Sequence, residues 1–377
     1  MFARITVAVG IIVAMVATFA RAPLPASAEV TIAVFPALMD LKAPAGATGQ
    51  QTITFSNDGD EPVAGTVAVN AVAGLDASHS AADWITLSAD SAQLAPGEKL
   101  DVVASIAVPD DTPSGGYYAQ VTLSTDAPDA GSNAGAVSGS ISNGIMITVD
   151  GDGDIVRSET IDHVAPIIEA DGRIGFRAQV TNSGNVHLLE PSGLIQVLNE
   201  DESPLGSLEI LPTTPLLPGR TQLFGTQGSL PLTPGTTYKA QVSLTYLNAE
   251  KPVTSEFTFT VASDLAVDNL AICENLDRGP SITLSLRNNG TVALQPGIAV
   301  SVSDPSRELG QAAPDQSRLI WPGEAVDVAI DYPQRLESGT YSLTATIAAD
   351  PTGQPIVQAL PFQIGGLSGT PIPVCSS

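Results

Sequence analysis

Few residues in this chain have the type and spacing to do chemistry. Its three histidines, His79, His163 and His187, stand at no metal-ligand spacing from a partner. No Gly-x-Ser-x-Gly elbow presents a nucleophile, and no glycine-rich loop opens a helical pattern to cradle phosphate. The groups a reaction needs are missing, so the chain reads as a non-enzyme. Three sets remain. Asp150, Asp152 and Asp154 alternate with glycine, and three such carboxylates can converge on one hard cation, making calcium the only cofactor worth naming. Against it, Ile155 and Ile161 stand where an EF-hand loop has glycine and glutamate, so a solvated acidic linker is the competing reading. Trp84 in ADWITLS alternates with Thr86, and Tyr118 lies on the polar face of its segment. Outward-facing rings there would meet a sugar or a protein, whereas inward packing would make them core. Finally, Cys273 and Cys375 are the only cysteines, an even number that suits a bridge in an exported chain. If the first and last strands of the last domain run side by side, the tail can fold back to close it. The loop of about 100 residues would be worth up to about 4.7 kcal/mol on the chain-entropy model.

The elements that must position these residues come from a threefold repeat. LAPGEKLDVVASIAVPDDTPSGGYYAQVTL (Leu94 to Leu123) recurs as Leu217 to Leu244 and as Trp321 to Ile347. Each copy opens on Pro-Gly, which suits a type II turn: proline pre-sets φ and glycine enters φ > 0. Each continues in strict alternation, the period of a strand with one buried face. Tyr117, Tyr238 and Tyr341 open the last strand of their copies, as the corner tyrosine of a β-sandwich does, with the hydroxyl returning to nearby backbone. Trp321, just before its Pro-Gly, reads as a plug between sheets. Ahead of each copy stands Asn-x-Gly (Asn57, Asn182, Asn288), which reads as turn chemistry.

The chain therefore divides into residues 1–28, a signal peptide with Arg4, an apolar run and Ala26-Ser27-Ala28; immunoglobulin-like domains at 29–150, 151–262 and 263–366; and a tail at 367–377. The fold class is all-β, three tandem immunoglobulin-like sandwiches. The polar stretch Asp126 to Ser140 is a hairpin loop with nothing to bury. Formal charge is −25 with only four lysines, which excludes nucleic acid and argues against docking on anionic lipid. No later apolar run could span a bilayer. Composition points to a high-GC bacterium.

The first domain resembles the N-terminal domain of the WxL-interacting bacterial surface proteins. Ala45-Gly46, "TITFSN" at Thr52 to Asn57, "LAPGEKLDV" at Leu94 to Val102 and "VPDDTPSGGYY" at Val108 to Tyr118 carry the resemblance. It implies peptidoglycan binding by the first domain and host-matrix binding by the second, although the third domain stands where that family has a membrane helix. The same grammar is similar to glycosidase-attached sandwiches and pilus-chaperone domains. The expectation is a secreted, cell-surface-associated, non-catalytic protein whose partner is an envelope polysaccharide or a surface protein. The alternatives are a carbohydrate-binding accessory module, which needs Trp84 and Tyr118 exposed in one plane, and a pilus-chaperone-like assembly factor. The latter holds a subunit's carboxylate with basic cleft residues, and no such pair stands out in the sequence.

Overall fold

Alternating residues form strands through most of the described residues. The computed structural model describes residues 31–125, 139–247, 249, 251–274 and 279–365. The residues expected to form a signal peptide, most of the expected hairpin loop after Asp126, and the tail with Cys375 lie outside them. Strands β1 (Ile32–Phe35), β2 (Leu38–Pro44), β3 (Thr48–Asn57), β4 (Val63–Asn70), β5 (Ile85–Leu87), β6 (Ser91–Leu94), β7 (Lys99–Ala107), β8 (Gly115–Thr125) and β9 (Ser140–Asp150) build the first sandwich. Its sheets have the orders β1-β3-β7-β5 and β2-β9-β8-β4-β6. Ile53, Phe55, Val102, Ala104, Val121, Leu123 and Ile147 close between them, as the alternation requires.

The second sandwich comprises β10 (Glu159–Ile168), β11 (Ile174–Asn182), β12 (Ser192–Leu198), β13 (Pro204–Ile210), β14 (Thr221–Gly225), β15 (Thr237–Thr245) and β16 (Val253–Thr260). Its sheets run β10-β11-β14 and β13-β12-β15-β16. The third repeats this plan with β17 (Leu265–Cys273), β18 (Ser281–Asn288), β19 (Gly297–Ser303), β20 (Glu308–Ala312), β21 (Ala325–Asp331), β22 (Gly339–Ala348) and β23 (Ile356–Ile364), in orders β17-β18-β21 and β20-β19-β22-β23. The protein is thus an all-β array of immunoglobulin-like sandwiches.

The repeated motifs interlock. Asn57, Asn182 and Asn288 are each fully buried. Each side-chain NH2 donates to two carbonyls, Glu61 and Leu94, Val186 and Leu216, or Val292 and Ile320, at 2.7–3.1 Å. Each Oδ1 accepts from the glycine two residues on. The amides of Gly97, Gly219 and Gly323, all at positive φ, return to the Asn carbonyls. The asparagine is thus more than turn chemistry: it clamps one loop to the Pro-Gly turn, satisfying buried carbonyls that would otherwise be orphaned. The corner tyrosines do as expected. Tyr117 and Tyr341 donate to Pro113 and Glu337 carbonyls, and Tyr238 accepts from Thr233 N–H.

One departure sets up the first domain's surface. Its opening strand leaves its sheet half-way: β1 pairs β3, then the chain crosses and β2 runs parallel to β9. In the third domain β17 stays beside β18 while β23 lies in the other sheet beside β22. The expectation that first and last strands run side by side there is corrected; only the first domain switches sheets. Half-buried Cys273 ends β17, and the bridge to Cys375 falls outside the described residues.

Candidate binding cleft of the first and second domains

The loop following Asn182-Ser183-Gly184, held by the Asn182 clamp, docks on the start of β8. Gly116 N–H donates to Asn185 O at 2.8 Å, and Asn185 Nδ2 donates to Ser114 O and Asp154 O. Two residues on, His187 is 4 % exposed and inserts between domains. Its Nδ1 lies 3.2 Å from Tyr118 Oη and its Nε2 3.1 Å from Asp40 Oδ1. Burial pushes the imidazole pKa below its ordinary value, Asp40 opposes that, and Arg157 and Lys42 add to it. Burial likewise pushes the Tyr118 phenol up. The neutral imidazole then accepts from Tyr118 and donates to Asp40, satisfying all three groups.

A cleft of about 40 Å³ adjoins this chain of bonds, lined by Asp40, Lys42, Thr148, Arg157, His187, Leu189 and Leu247. Lys42 and Arg157 are exposed and take no ion pair among the described residues. Lys42 also ends a second, more apolar opening of about 220 Å³ between β2, β3 and β7, with Leu41, Ala43, Gly49, Gln51, Ile106 and Ile147 on its walls. The opening exists because β1 stops at Phe35, opposite Thr54, while β3 pairs β7 as far back as Thr48. Gly49 and Gln51 share the inward parity of Ile53, yet both are exposed, and a Cβ on Gly49 would meet nothing within 4 Å. Asn57 N–H and Ala47 O bond toward β7, so alternation turns the backbone groups of Thr48, Gln50 and Thr52 toward the open edge.

The residues singled out in the sequence fare differently. Tyr118 does lie opposite Tyr117, but at 1 % exposure it offers no ring face, because the second domain covers that end of β8. Trp84 sits in a 3-10 turn before β5, so strand alternation does not govern it, and its half-buried ring packs 4.6 Å from that of Tyr117. The two do not form an exposed plane. Asp150, Asp152 and Asp154 are exposed, and no group of three or more potential ligands able to hold a metal occurs among the described residues. Their carbonyls are engaged instead, accepting from Ala45 N–H, Ser114 N–H and Asn185 Nδ2 respectively. Trp321 plugs a domain junction rather than two sheets, as it packs with Ala165 and Ala293. The basic pair that the sequence did not show is Lys42 with Arg157. They are remote in the chain and meet only because the first strand changes sheets.

By sequence, neither a protein-family model nor a curated protein matches the chain. Solved structures do match in fold. The chaperone–tip adhesin complex of CFA/I fimbriae is 10 % identical at a TM-score of 0.34, covering 60 % of this chain and 98 % of that one. The class 5 fimbriae chaperone CfaA is 11 % identical at 0.33, covering 62 % and 100 %. The chaperone DraB of E. coli is 12 % identical at 0.31, covering 62 % and 98 %. These are likenesses of fold, at values that say nothing of function. No helix among the described residues is long and apolar enough to cross a membrane.

Proposed function

We propose that the chain is a non-catalytic, exported protein-binding module that grips an extended segment of a surface or envelope protein, in the manner of an assembly factor. The observation behind this is the open side of the first domain, where the β3 edge, without a strand partner there among the described residues, flanks an apolar opening that shares Lys42 with the Lys42–Arg157 cleft. An extended segment adding to a free edge gains main-chain hydrogen bonds, and its alternate side chains enter the opening beside Gly49. Two cations without an ion pair among the described residues, against one carboxylate in a chain of charge −25, favour an anionic terminus on that segment, its own carboxylate. The buried Tyr118 and packed Trp84 weaken the polysaccharide reading.

The test begins with capture of the partner by the mature protein from its own cell envelope. Synthetic peptides of the partner's last residues, with free or amidated ends, are then titrated. Amidation, or the Lys42→Ala/Arg157→Ala double variant, is expected to weaken binding at least about tenfold, the scale of one charge-assisted hydrogen bond. Capture of glycan alone, or indifference to both changes, would overturn the proposal.

A further inference from the structure

We propose that Tyr118, His187 and Asp40 form an acid-released latch between the first and second domains. The geometry carries this whatever the cleft binds. His187 comes from the second domain, and both its partners from the first. As neutral imidazole it has one acceptor and one donor, and each is used. An imidazolium has two donors. Tyr118 Oη would then have to accept, and its own proton would face the interior at 1 % exposure, with His187 its only side-chain hydrogen-bond partner among the described residues. Leaving such a group unpaired is costly, so the protonated latch does not fit the docked geometry.

Burial sets the direction, and the charges around the ring oppose or add to it. From β2 come Asp40, which favours the cation, and Lys42, which opposes it; Arg157, on the segment joining the domains, also opposes it. β9 contributes only Thr148 to the cleft, and Leu189 and Leu247 are neutral. Behind Tyr118, His79 bonds Gly116 O through Nδ1. Burial outweighs Asp40, so the docked pKa lies below the free value of 6.5. Docking is therefore fully favoured above that value and is lost as pH falls through the interval between it and the depressed value.

Hydrogen exchange on the full mature protein, between about pH 7.5 and about pH 5, tests the latch with a control inside the same molecule. Gly116 N–H bonds Asn185 O across this junction, while Ala293 N–H bonds Pro166 O across the next one. Protection at Gly116 is expected to fall by up to about tenfold per pH unit, the limit for one linked proton, within that interval. Protection at Ala293 should hold, and His187→Gln should abolish the difference. Since that variant could disturb the fold, ring C–H resonances of the unaltered protein are also titrated. Equal protection at Gly116 across the range, or a histidine at position 187 that titrates at or above its ordinary value, would overturn the proposal.

Discussion

The two domain junctions use the same part of the repeat and differ in what they place there. In both, the loop after Asn-x-Gly docks on the preceding sandwich: Asn185 and His187 on β8, Ala293 on Pro166. At the first junction the inserted side chain is a titratable imidazole bonded to a phenol and a carboxylate. At the second it is Ala293, packed with Ala165 under Trp321, whose indole stacks on His163 at 5.1 Å and donates to Gln179. One fold thus supports an apolar joint, held by contact, and a polar one, held by proton placement. Contact survives changes of pH; proton placement does not.

The largest effect should come from removing the contact. Trp321→Ala deletes a ring that is 9 % exposed and should cost about 3 kcal/mol, the low end for buried tryptophan. Calorimetry should show the third domain melting as a separate transition while the first two keep their coupling. Next come the clamps. Asn182→Ala and Asn288→Ala each strand two buried carbonyls and should cost about 2–3 kcal/mol. Exchange at Gly116 should rise only in the former and at Ala293 only in the latter. Asn57→Ala, whose loop carries no junction, should destabilise the first domain and leave both amides protected. If Asn57→Ala loosened a junction, the link between clamp and docking would fail.

A smaller effect is expected from Tyr118→Phe. It keeps the ring edge-on to His187 and removes the donor to Nδ1, at about 1–2 kcal/mol. Because the imidazolium then meets no competing hydroxyl proton, the remaining docking should depend less steeply on pH than in the parent. An equal or steeper dependence would mean that burial of the ring, not the Tyr118 proton, sets the direction.

Strand positions, the Pro-Gly turns and the corner tyrosines were legible because each is a local pattern of alternation or turn chemistry. The clamps were half legible: Asn-x-Gly marked a turn, but the second carbonyl each asparagine reaches lies 32–37 residues away. The site was legible only in Tyr118, and not as a set. Asp40 and His187 are 147 residues apart, and no periodicity links them. Alternation placed Tyr118 on the face opposite Tyr117 correctly, yet whether that face meets water depends on the neighbouring domain. Trp321 failed for the same reason, since burial between sheets and burial between domains leave the same apolar mark on a sequence.

The smallest effect concerns the acidic run between the domains, where the comparison could still be broken. Asp150, Asp152 and Asp154 lie on the stretch that leads from β9 into the first junction, and a cation bound there would hold that junction independently of His187. The arrangement argues otherwise. Their carbonyls accept from Ala45, Ser114 and Asn185, which fixes the main chain by hydrogen bonds within the protein, and the exposed carboxylates do not gather into a metal-holding group. Exposed carboxylates that do not converge bind calcium weakly, since affinity in such sites rises with the number of ligands presented together. Replacing all three with asparagine should therefore leave the melting temperature and the Gly116 protection unchanged, with or without added calcium. If calcium instead raised the Gly116 protection at acid pH in the parent and not in the triple variant, the first junction would have a second fastening, and acid alone would not release it.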